Sequence, residues 1–231
     1  IDGGLSPARI AKVIAQYEPD IVALQELDVG RMRSGKEDQA KIIAQILNME
    51  LHFHAAVKLE EECFGDAILS TYPMKLVRAD ALAAKPRFAF LEPRGALWVQ
   101  INFNGTNIQF INTHLGLNGS ERIVHTQELM SSNWLGNPMC SEPVILCGDF
   151  NARPNSRVFK ILRKRLHSAQ MQAGLLRHKG TWFGRWPILC LDHILVSPQL
   201  DVIRIGVADS FLARIASDHR PLIADIRIKK L

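Results

Sequence analysis

The sequence predicts an α/β fold, and three observations support it. A helix-like segment beginning at Ser6 is followed by the apolar, strand-like run Ile21–Gln25, and this helix-to-strand step is the unit of an α/β layer. Short apolar runs elsewhere carry an acid, an amide or an imidazole at one end. An Asn104-Gly105 pair lies between two alternating segments. Since open α/β sheets bind ligands at the carboxyl ends of their strands, the polar strand ends are candidate site positions.

The first helix is predicted by signals that agree. Ser6 suits the N-cap and Pro7 the first turn. Apolar residues then recur at helical spacing, at Ile10, Val13, Ile14 and Tyr17. Glu18-Pro19 ends the helix, and Ile21–Gln25 is predicted as a buried strand that places Glu26 at its end. Glu26 is either a metal ligand or a solvated carboxylate that begins a loop.

The middle of the chain continues the alternation of predicted helices and strands. Glu37–Leu47 is predicted as a second helix, Asp66–Thr71 as a core strand, and Ser120–Leu135 as a further helix. Residues 158–162 have the apolar content of another short helix. The alternating segment Leu222–Ile228 is predicted as the last strand.

Asn104-Gly105 predicts a two-residue hairpin with a type I′ turn. Apolar residues alternate on both sides of it, at Leu97, Val99, Ile101, Phe103, Ile108 and Phe110. The returning strand brings Asn112 and His114 to its carboxyl end. A lone histidine is more often a surface or core residue than a catalytic one, so His114 needs support from its context.

The segment Val144–Asn151 is the most probable centre of chemistry. Its apolar residues predict a short strand buried on both faces. Gly148 allows a sharp turn, after which Asp149 and Asn151 emerge together at the strand end. An acid beside an amide suits a metal-bound phosphate. The alternative is a polar turn, since Gly, Asp and Asn are common turn residues.

Composition sets broad bounds on function. The 231 residues are 47% hydrophobic and 22% charged, with a formal net charge of +5 and a pI near 9.2. These values are typical of a soluble globular protein and favour anionic partners. The four cysteines lack Cys-x-x-Cys spacing, which predicts buried thiols in a reducing, cytoplasmic setting. The sequence contains no apolar run of membrane-spanning length and no signal-peptide core in residues 1–20.

Five short motifs follow one another in an order that resembles the endonuclease/exonuclease/phosphatase superfamily. They are Gln25-Glu26, Asn112–His114, Gly148–Asn151, Leu191–Leu195 and Ser217–Pro221. The superfamily includes pancreatic-type deoxyribonuclease, abasic-site nucleases, neutral sphingomyelinases and inositol polyphosphate 5-phosphatases. The resemblance implies one domain over residues 1–231, built as a four-layer sandwich of two mixed β-sheets packed face to face with helices on both outer sides. It also implies a core strand bearing an Asn before Ile1, so we expect such residues to precede this sequence.

The resemblance also assigns roles within the site. It implies that Glu26 ligates the metal with help from Asp218, and that Asp149 with Asn151 places or activates the water. Asp192 would hold the tautomer of His219, which binds the phosphate or exchanges a proton. Hard oxygen ligands without a thiolate predict Mg²⁺ or Mn²⁺. Phosphate contacts are expected from His114, Asn112 and Arg122, although Arg122 is equally consistent with an exposed helix charge.

The segment after Asp149 contains no Asp or Glu before Asp192. Nine cations fall in this interval: Arg153, Arg157, Lys160, Arg163, Lys164, Arg165, Arg177, Lys179 and Arg185. A charge run is usually a solvated face, yet a field of one sign beside a phosphate site would concentrate polyanions. We therefore predict Arg153 as a substrate contact. Of the nearby aromatic residues, Trp182 is predicted in the core and Trp186 at the substrate.

The predicted function is metal-dependent hydrolysis of a phosphodiester or phosphomonoester by a monomer. The substrate class stays open between nucleic acid, phospholipid head groups and small molecules, and so does the number of metal ions. The alternative is a non-catalytic scaffold that binds nucleic acid or anionic lipid through its basic face. The acids Glu26, Asp149, Asp192 and Asp218 favour the enzyme, because a pure anion binder would be better without them.

Overall fold

The computed structural model describes residues 5–83, 90–141, 143–174 and 179–229, so Ile1 and Arg177 lie outside the described residues. The helices are α1 (Pro7–Ala15), α2 (Gln39–Leu47), α3 (Gly119–Leu129), α4 (Arg157–Leu162), α5 (Ala169–Gln172) and α6 (Ala213–Ala216). The strands of the first half are β1 (Ile21–Val29), β2 (Glu50–Leu59), β3 (Glu62–Ser70), β4 (Met74–Ala81), β5 (Gly95–Phe103) and β6 (Thr106–His114). Those of the second half are β7 (Val144–Asp149), β8 (His167–Ser168), β9 (Asp192–Val196), β10 (Leu200–Val207) and β11 (Leu222–Ile228).

The described strands form three sheets in a mixed α/β arrangement. One sheet has six strands in the order β4-β5-β6-β7-β9-β8, one has three in the order β1-β3-β2, and β10 pairs with β11. Within the six-stranded sheet, β6 and β7 are parallel while the other pairs are antiparallel. The two smaller sheets are antiparallel. Of the described sheets, only the six-stranded one is therefore mixed.

Apolar clusters hold the layers together. One cluster combines residues of the six-stranded sheet with residues of the two smaller sheets, including Val99, Ile145, Ile68 and Val202. A second packs α3 and α4 on the six-stranded sheet through Leu129, Phe159, Trp98 and Leu146. A third packs α1 and α2 on β1 and β3 through Ile14, Ile43, Leu27 and Leu69. The neighbours Ile68 and Leu69 thus serve opposite faces of β3, as the period of a strand requires.

The capping residue of α1 and the turn residues of the hairpin act in the structure as the sequence predicted. The Ser6 hydroxyl accepts a hydrogen bond from the Arg9 N–H at 3.2 Å, and Pro7 begins α1. Asn104 and Gly105 have φ values of 50° and 87°, as a type I′ turn requires at both central positions. The hairpin therefore lies where the sequence predicted it.

Two elements differ from prediction. The helix expected to reach Leu135 ends at Leu129, because residues 131–139 turn back on themselves and the Leu135 N–H binds the Leu129 carbonyl at 3.0 Å. β1 continues past Gln25 to Val29, with a register shift between Leu24 and Leu27. Glu26 therefore lies within a β-bulge and not at a strand end, since the strand resumes pairing with β3 after it.

Three of the four cysteines are buried, as the sequence predicted. Cys140, Cys147 and Cys190 are buried, Cys63 is half-buried, and none of the four forms a disulfide bond. Among the described residues, no helix has the length and apolar character needed to span a membrane.

Candidate active site

The parallel pair β6 and β7 places two candidate side chains next to each other. Their register sets His114 opposite Asp149 at the carboxyl ends of both strands. The approach depends on Gly148, which has φ +141° and where a Cβ would lie 1.8 Å from the Thr113 carbonyl oxygen. Asn151 follows with φ 47°, and its backbone N–H donates to Asp149 Oδ1 at 2.8 Å. The turn thus fixes Oδ1 of Asp149. Oδ2 faces the space between His114, His219 and Glu26, which we call the cleft.

His114 is a buried, neutral hydrogen-bond donor. Its Nδ1 lies 3.1 Å from Nη1 of Arg94. A guanidinium can only donate, so Nδ1 accepts and the ring proton resides on Nε2. Burial, followed by the positive charges of Arg94 and His219, lowers the pKa of His114 to about 3. The Nε2–H lies 3.5 Å from Asp149 Oδ2 and 3.9 Å from Glu26 Oε1, inside the cleft.

The side-chain amide of Asn151 adds a second donor at the same place. Its Nδ2 donates to the Leu115 carbonyl at 2.9 Å and lies 3.2 Å from His114 Nε2. Both nitrogens carry hydrogen, so they cannot satisfy each other. Two converging donors of this kind suit an incoming oxyanion such as a phosphate oxygen.

Asp192, at the start of β9, meets His219 from the segment before β11. His219 Nδ1 donates to Asp192 Oδ2 at 2.8 Å, which leaves His219 Nε2 3.9 Å from Asp149 Oδ2. Burial alone would lower the pKa of His219, but the hydrogen bond and charge of Asp192, with the charge of Asp149, raise it to about 9. His219 is therefore an imidazolium at neutral pH and presents an N–H to the cleft.

The pKa of Asp149 is suited to proton exchange near neutral pH. Burial and the negative charge of Asp192 raise the pKa of Asp149 to about 7, against the opposing charge of His219. A carboxylate with a pKa near ambient pH is well matched to general base catalysis.

Glu26 reaches the cleft because of the bulge in β1. Its backbone has φ 59°, and its side chain is 60% exposed. Desolvation in the cleft and the charge of Asp218 raise the pKa of Glu26, although Arg94 opposes them. Asp66 of β3, which is 2% exposed, accepts the backbone N–H of Glu26 and so supports the bulge. The bulge thus brings the Glu26 carboxylate to within 3.9 Å of His114 Nε2.

Two donor sets in this cleft could hold a cation. The ligand atoms of Asp149, Asp192 and His219 all lie within 4.8 Å of one another. In that set, however, the Nδ1–H of His219 is committed to Asp192. Glu26 and Asp218 offer two carboxylates whose mutual repulsion a divalent cation would relieve. The cleft thus offers one clustered group of ligand atoms at Asp149 and one pair of interacting carboxylates at Glu26.

The structure places some predicted contacts elsewhere. Asn112 is fully buried, and its amide binds the Leu24 and Ala67 carbonyls while its Oδ1 accepts from Gln25. It therefore ties β6 to β1 and β3, and the expectation that it contacts substrate is corrected because its hydrogen-bonding capacity is used internally.

The remaining predicted residues are half-buried or exposed. Arg122 donates to the Gly116 and Leu117 carbonyls near Asp149, whose charge acts on it. Arg153 and Trp186 are exposed. Asp218 is also exposed, and its Oδ2 accepts the indole N–H of Trp182 at 3.3 Å.

Trp182 is less buried than His193. Trp182 was expected in the core, but it is half-buried because its indole N–H is turned toward Asp218. His193 was expected to be structural. It is buried against Phe159 and contacts the Ala152 carbonyl at 3.0 Å.

Two residues of the site were missed. Arg94 is 8% exposed and controls His114, while Asp66 is fully enclosed beside Glu26. An acid within the apolar strand Asp66–Thr71 was a usable signal, because a buried carboxyl needs a partner or a function. Arg94, in the segment before β5, gave no comparable signal, since arginine is common at strand ends.

The geometry agrees with comparisons to known proteins. A model of the Endonuclease/Exonuclease/phosphatase family matches residues 1–219. YbhP of Escherichia coli (strain K12), described as an uncharacterized protein, is 29% identical over 180 residues, covering 71% of this chain and 63% of YbhP. The chain therefore spans less than two thirds of the length of the curated relatives that it matches.

Solved structures share the fold. An endonuclease/exonuclease/phosphatase from Beutenbergia cavernae DSM 12333 superposes with a TM-score of 0.74 at 20% identity, covering 98% of this chain and 67% of that one. A mannosyl-6-phosphatase from Bacteroides thetaiotaomicron VPI-5482 gives a TM-score of 0.74 at 22% identity, covering 96% and 90%. At these identities the likeness concerns the fold.

Proposed function

The chain belongs to the endonuclease/exonuclease/phosphatase family, and we propose that it hydrolyses a phosphodiester or phosphomonoester by attack of water with the help of a divalent cation. The observation that carries the proposal is the convergence of two imidazole N–H groups on one carboxylate, with a side-chain amide beside them. His114 Nε2 and His219 Nε2 lie 3.5 and 3.9 Å from Asp149 Oδ2, and the Asn151 amide lies beside His114. A phosphate in this position would meet donors on one side and a base on the other.

The residues divide the chemistry between them. Asp149, with its pKa raised to about 7, accepts a proton from the attacking water. His219 is held as an imidazolium by Asp192 and donates to a phosphoryl oxygen as negative charge develops there. His114 and Asn151 supply neutral N–H groups that orient the phosphate.

Glu26 and Asp218 are the residues that would hold Mg²⁺ or Mn²⁺. The bound cation would supply charge neutralisation at the phosphate and a lower pKa for a coordinated water. Asp66 and the β1 bulge serve to present Glu26 at the required place.

The substrate class is the finer part of the proposal. A mannosyl-6-phosphatase is among the proteins of similar fold, which supports a phosphate ester without choosing between nucleic acid, lipid and sugar. The non-catalytic scaffold is less well supported. The carboxyl group of Asp149, with a pKa of about 7, lies beside the His219 imidazolium, and its negative charge when ionised would weaken binding of an anion.

A metal-titration assay tests the proposal. Chelation should abolish hydrolysis of a phosphate-ester panel and Mg²⁺ or Mn²⁺ should restore it. Glu26→Gln should require more metal for half-maximal activity, by about 10-fold or more, because one anionic ligand is lost. Glu37→Gln, at an exposed position outside the cleft, should titrate as the wild type does.

Full activity in excess chelator would refute the metal-dependent mechanism. An unchanged metal requirement in Glu26→Gln, with circular dichroism showing a folded protein, would remove Glu26 from the proposed ligands.

A further inference from the structure

Asn112 is a fully buried amide whose hydrogen bonds all reach the neighbouring three-stranded sheet. Its Nδ2 donates to the Leu24 carbonyl at 2.9 Å and to the Ala67 carbonyl at 3.0 Å. Its Oδ1 accepts the side-chain N–H of Gln25 at 2.6 Å. Both N–H groups and the carbonyl oxygen therefore have partners. A buried polar group that is satisfied in this way favours one arrangement of the strands around it.

All three partners lie at the bulge in β1. Leu24 and Ala67 form the last regular pair of β1 and β3 before the register shifts. Gln25 is the first of the two residues that follow this pair in the bulge, and Glu26 is the second. Asn112 therefore holds the backbone that enters the bulge and the side chain of the residue directly before Glu26.

Glu26 depends on such support because its backbone conformation is unfavourable. Its φ of 59° lies in the left-handed region, which a residue other than glycine keeps only where neighbouring contacts hold it. On the β3 side, Asp66 accepts the Glu26 N–H. On the β6 side, Asn112 fixes the two residues before it. With this support, Glu26 Oε1 lies 3.9 Å from His114 Nε2.

The strand that carries Asn112 also carries His114. Side chains two residues apart on a strand lie on the same face, and both of these face β1. The same part of β6 pairs with β7 and sets His114 opposite Asp149. Asn112 therefore connects the strand that carries Glu26 to the strands that carry His114 and Asp149.

We propose that Asn112 is a positioning residue that holds Glu26 in the cleft opposite His114. The inference rests on the proposed function, in which Glu26 takes part. It also gives a reason for an amide at this position. An apolar side chain of similar size could fill the space, but it would leave two buried carbonyls without their donors and would not hold Gln25.

The NMR signal of the His114 ring tests the proposal without metal or substrate. In ¹⁵N-labelled protein with excess chelator, the Nε2 resonance is identified by its absence in His114→Gln. Glu26→Gln removes a carboxylate 3.9 Å from this nitrogen and should shift the resonance. In Asn112→Leu or Gln25→Met, the same Glu26→Gln change should lose most of its effect, because the carboxylate no longer has a fixed place beside His114.

Metal dependence gives a second measurement. Asn112→Leu and Gln25→Met should each raise the Mg²⁺ concentration for half-maximal hydrolysis by about 10- to 100-fold, the usual effect of removing a group that orients a metal ligand. Neither change should raise it further in the Glu26→Gln background, because the carboxylate that Asn112 positions is already absent there.

Gln109→Met is the matched control. Gln109 is another buried amide of β6, but its Oε1 accepts the Trp98 indole N–H at 2.9 Å on the face that packs on α3 and α4. This variant should lower Tm, yet keep the full shift of the His114 resonance and the wild-type Mg²⁺ requirement. Gln25→Met removes one hydrogen bond of a half-buried side chain, so it decides the matter even if Asn112→Leu does not fold.

Two results would overturn the proposal. One is a full-sized shift of the His114 resonance in Gln25→Met and in folded Asn112→Leu. The other is an equal loss of the shift in Gln109→Met, since any buried amide of β6 would then have the same effect. Because the spectra need no turnover, failure of the catalytic proposal would leave the measured placement of Glu26 intact.

Discussion

At the scale of single residues, the Asp192–His219 pair is the most informative contact. Asp192 begins β9, His219 lies in the segment before β11, and the two share a 2.8 Å hydrogen bond. Because they act as a unit, Asp192→Asn, His219→Ala and the double variant should lose similar amounts of kcat. The loss should be about 10²- to 10⁴-fold, as for general acid–base groups.

The same pair sets an alkaline limit on activity. The pKa of His219 is raised to about 9, so the imidazolium persists through neutrality and is lost as pH rises through that value. Asp192→Asn removes the charge that raises this pKa and should move the alkaline fall of kcat to lower pH. Asp225→Asn, in an exposed ion pair of β11, is the matched control. Single-variant defects that multiply in the double variant, measured on one diester, would show that the two residues work independently.

At the scale of elements, the described part of the segment between Asp149 and Asp192 contains both structural and exposed cations. Arg163 and Arg165 donate to the Pro154 and Cys140 carbonyls at 2.8 and 2.6 Å. Lys160 and Lys164 are exposed, as is Arg153. Cations that are neighbours in the sequence therefore have two different roles. The two arginines bind carbonyls of other turns, whereas the lysines are exposed to solvent.

The exposed cations and the structural arginines are predicted to give different phenotypes when changed. Changing Arg153, Lys160 and Lys164 together to Ala should raise KM for a polyanionic substrate and flatten its salt dependence, with kcat near wild type. Changing Arg163 and Arg165 to Ala should lower Tm, because buried or half-buried carbonyls lose their donors. Steady-state kinetics over a salt series and thermal unfolding measure the two effects. If the triple variant lost kcat and Tm together, the exposed cations would be structural after all.

At the scale of the whole molecule, one buried acid couples folding to pH. Burial raises the pKa of Asp66 to about 8, against the opposing charge of Arg94. Between the unfolded value near 3.8 and about 8, the folded state holds a proton that the unfolded state has lost. Stability therefore falls as pH rises through this window, by about 1.4 kcal/mol per pH unit at most.

Asp66→Asn should remove this dependence. The amide oxygen can still accept the Glu26 N–H, and it has no proton to lose, so the variant should gain stability relative to wild type from about pH 5 to about pH 8. Urea unfolding in excess chelator measures the difference. A constant difference across the window would mean that Asp66 ionises in the fold as it does in the unfolded chain.

The sequence alone predicted several local elements and several of the side chains that the structure brings together in the cleft. Capping residues predicted α1, Asn104-Gly105 predicted the hairpin, and apolar runs located β7 and β11, because these signals act over a few residues. Polar strand ends identified Asp149, Asn151 and His219 as candidates for the same reason.

Only the tertiary structure decided which of these side chains face one another. The parallel register of β6 and β7 places His114 opposite Asp149, and the bulge in β1 turns Glu26 into the cleft. Asn112 had the same kind of sequence context as His114, yet its amide donates hydrogen bonds to the Leu24 and Ala67 carbonyls and does not face the cleft. Arg94 acquired its role through a contact with His114. Such pairings depend on strand order and register between segments far apart in the chain, and no local pattern of residue types encodes them.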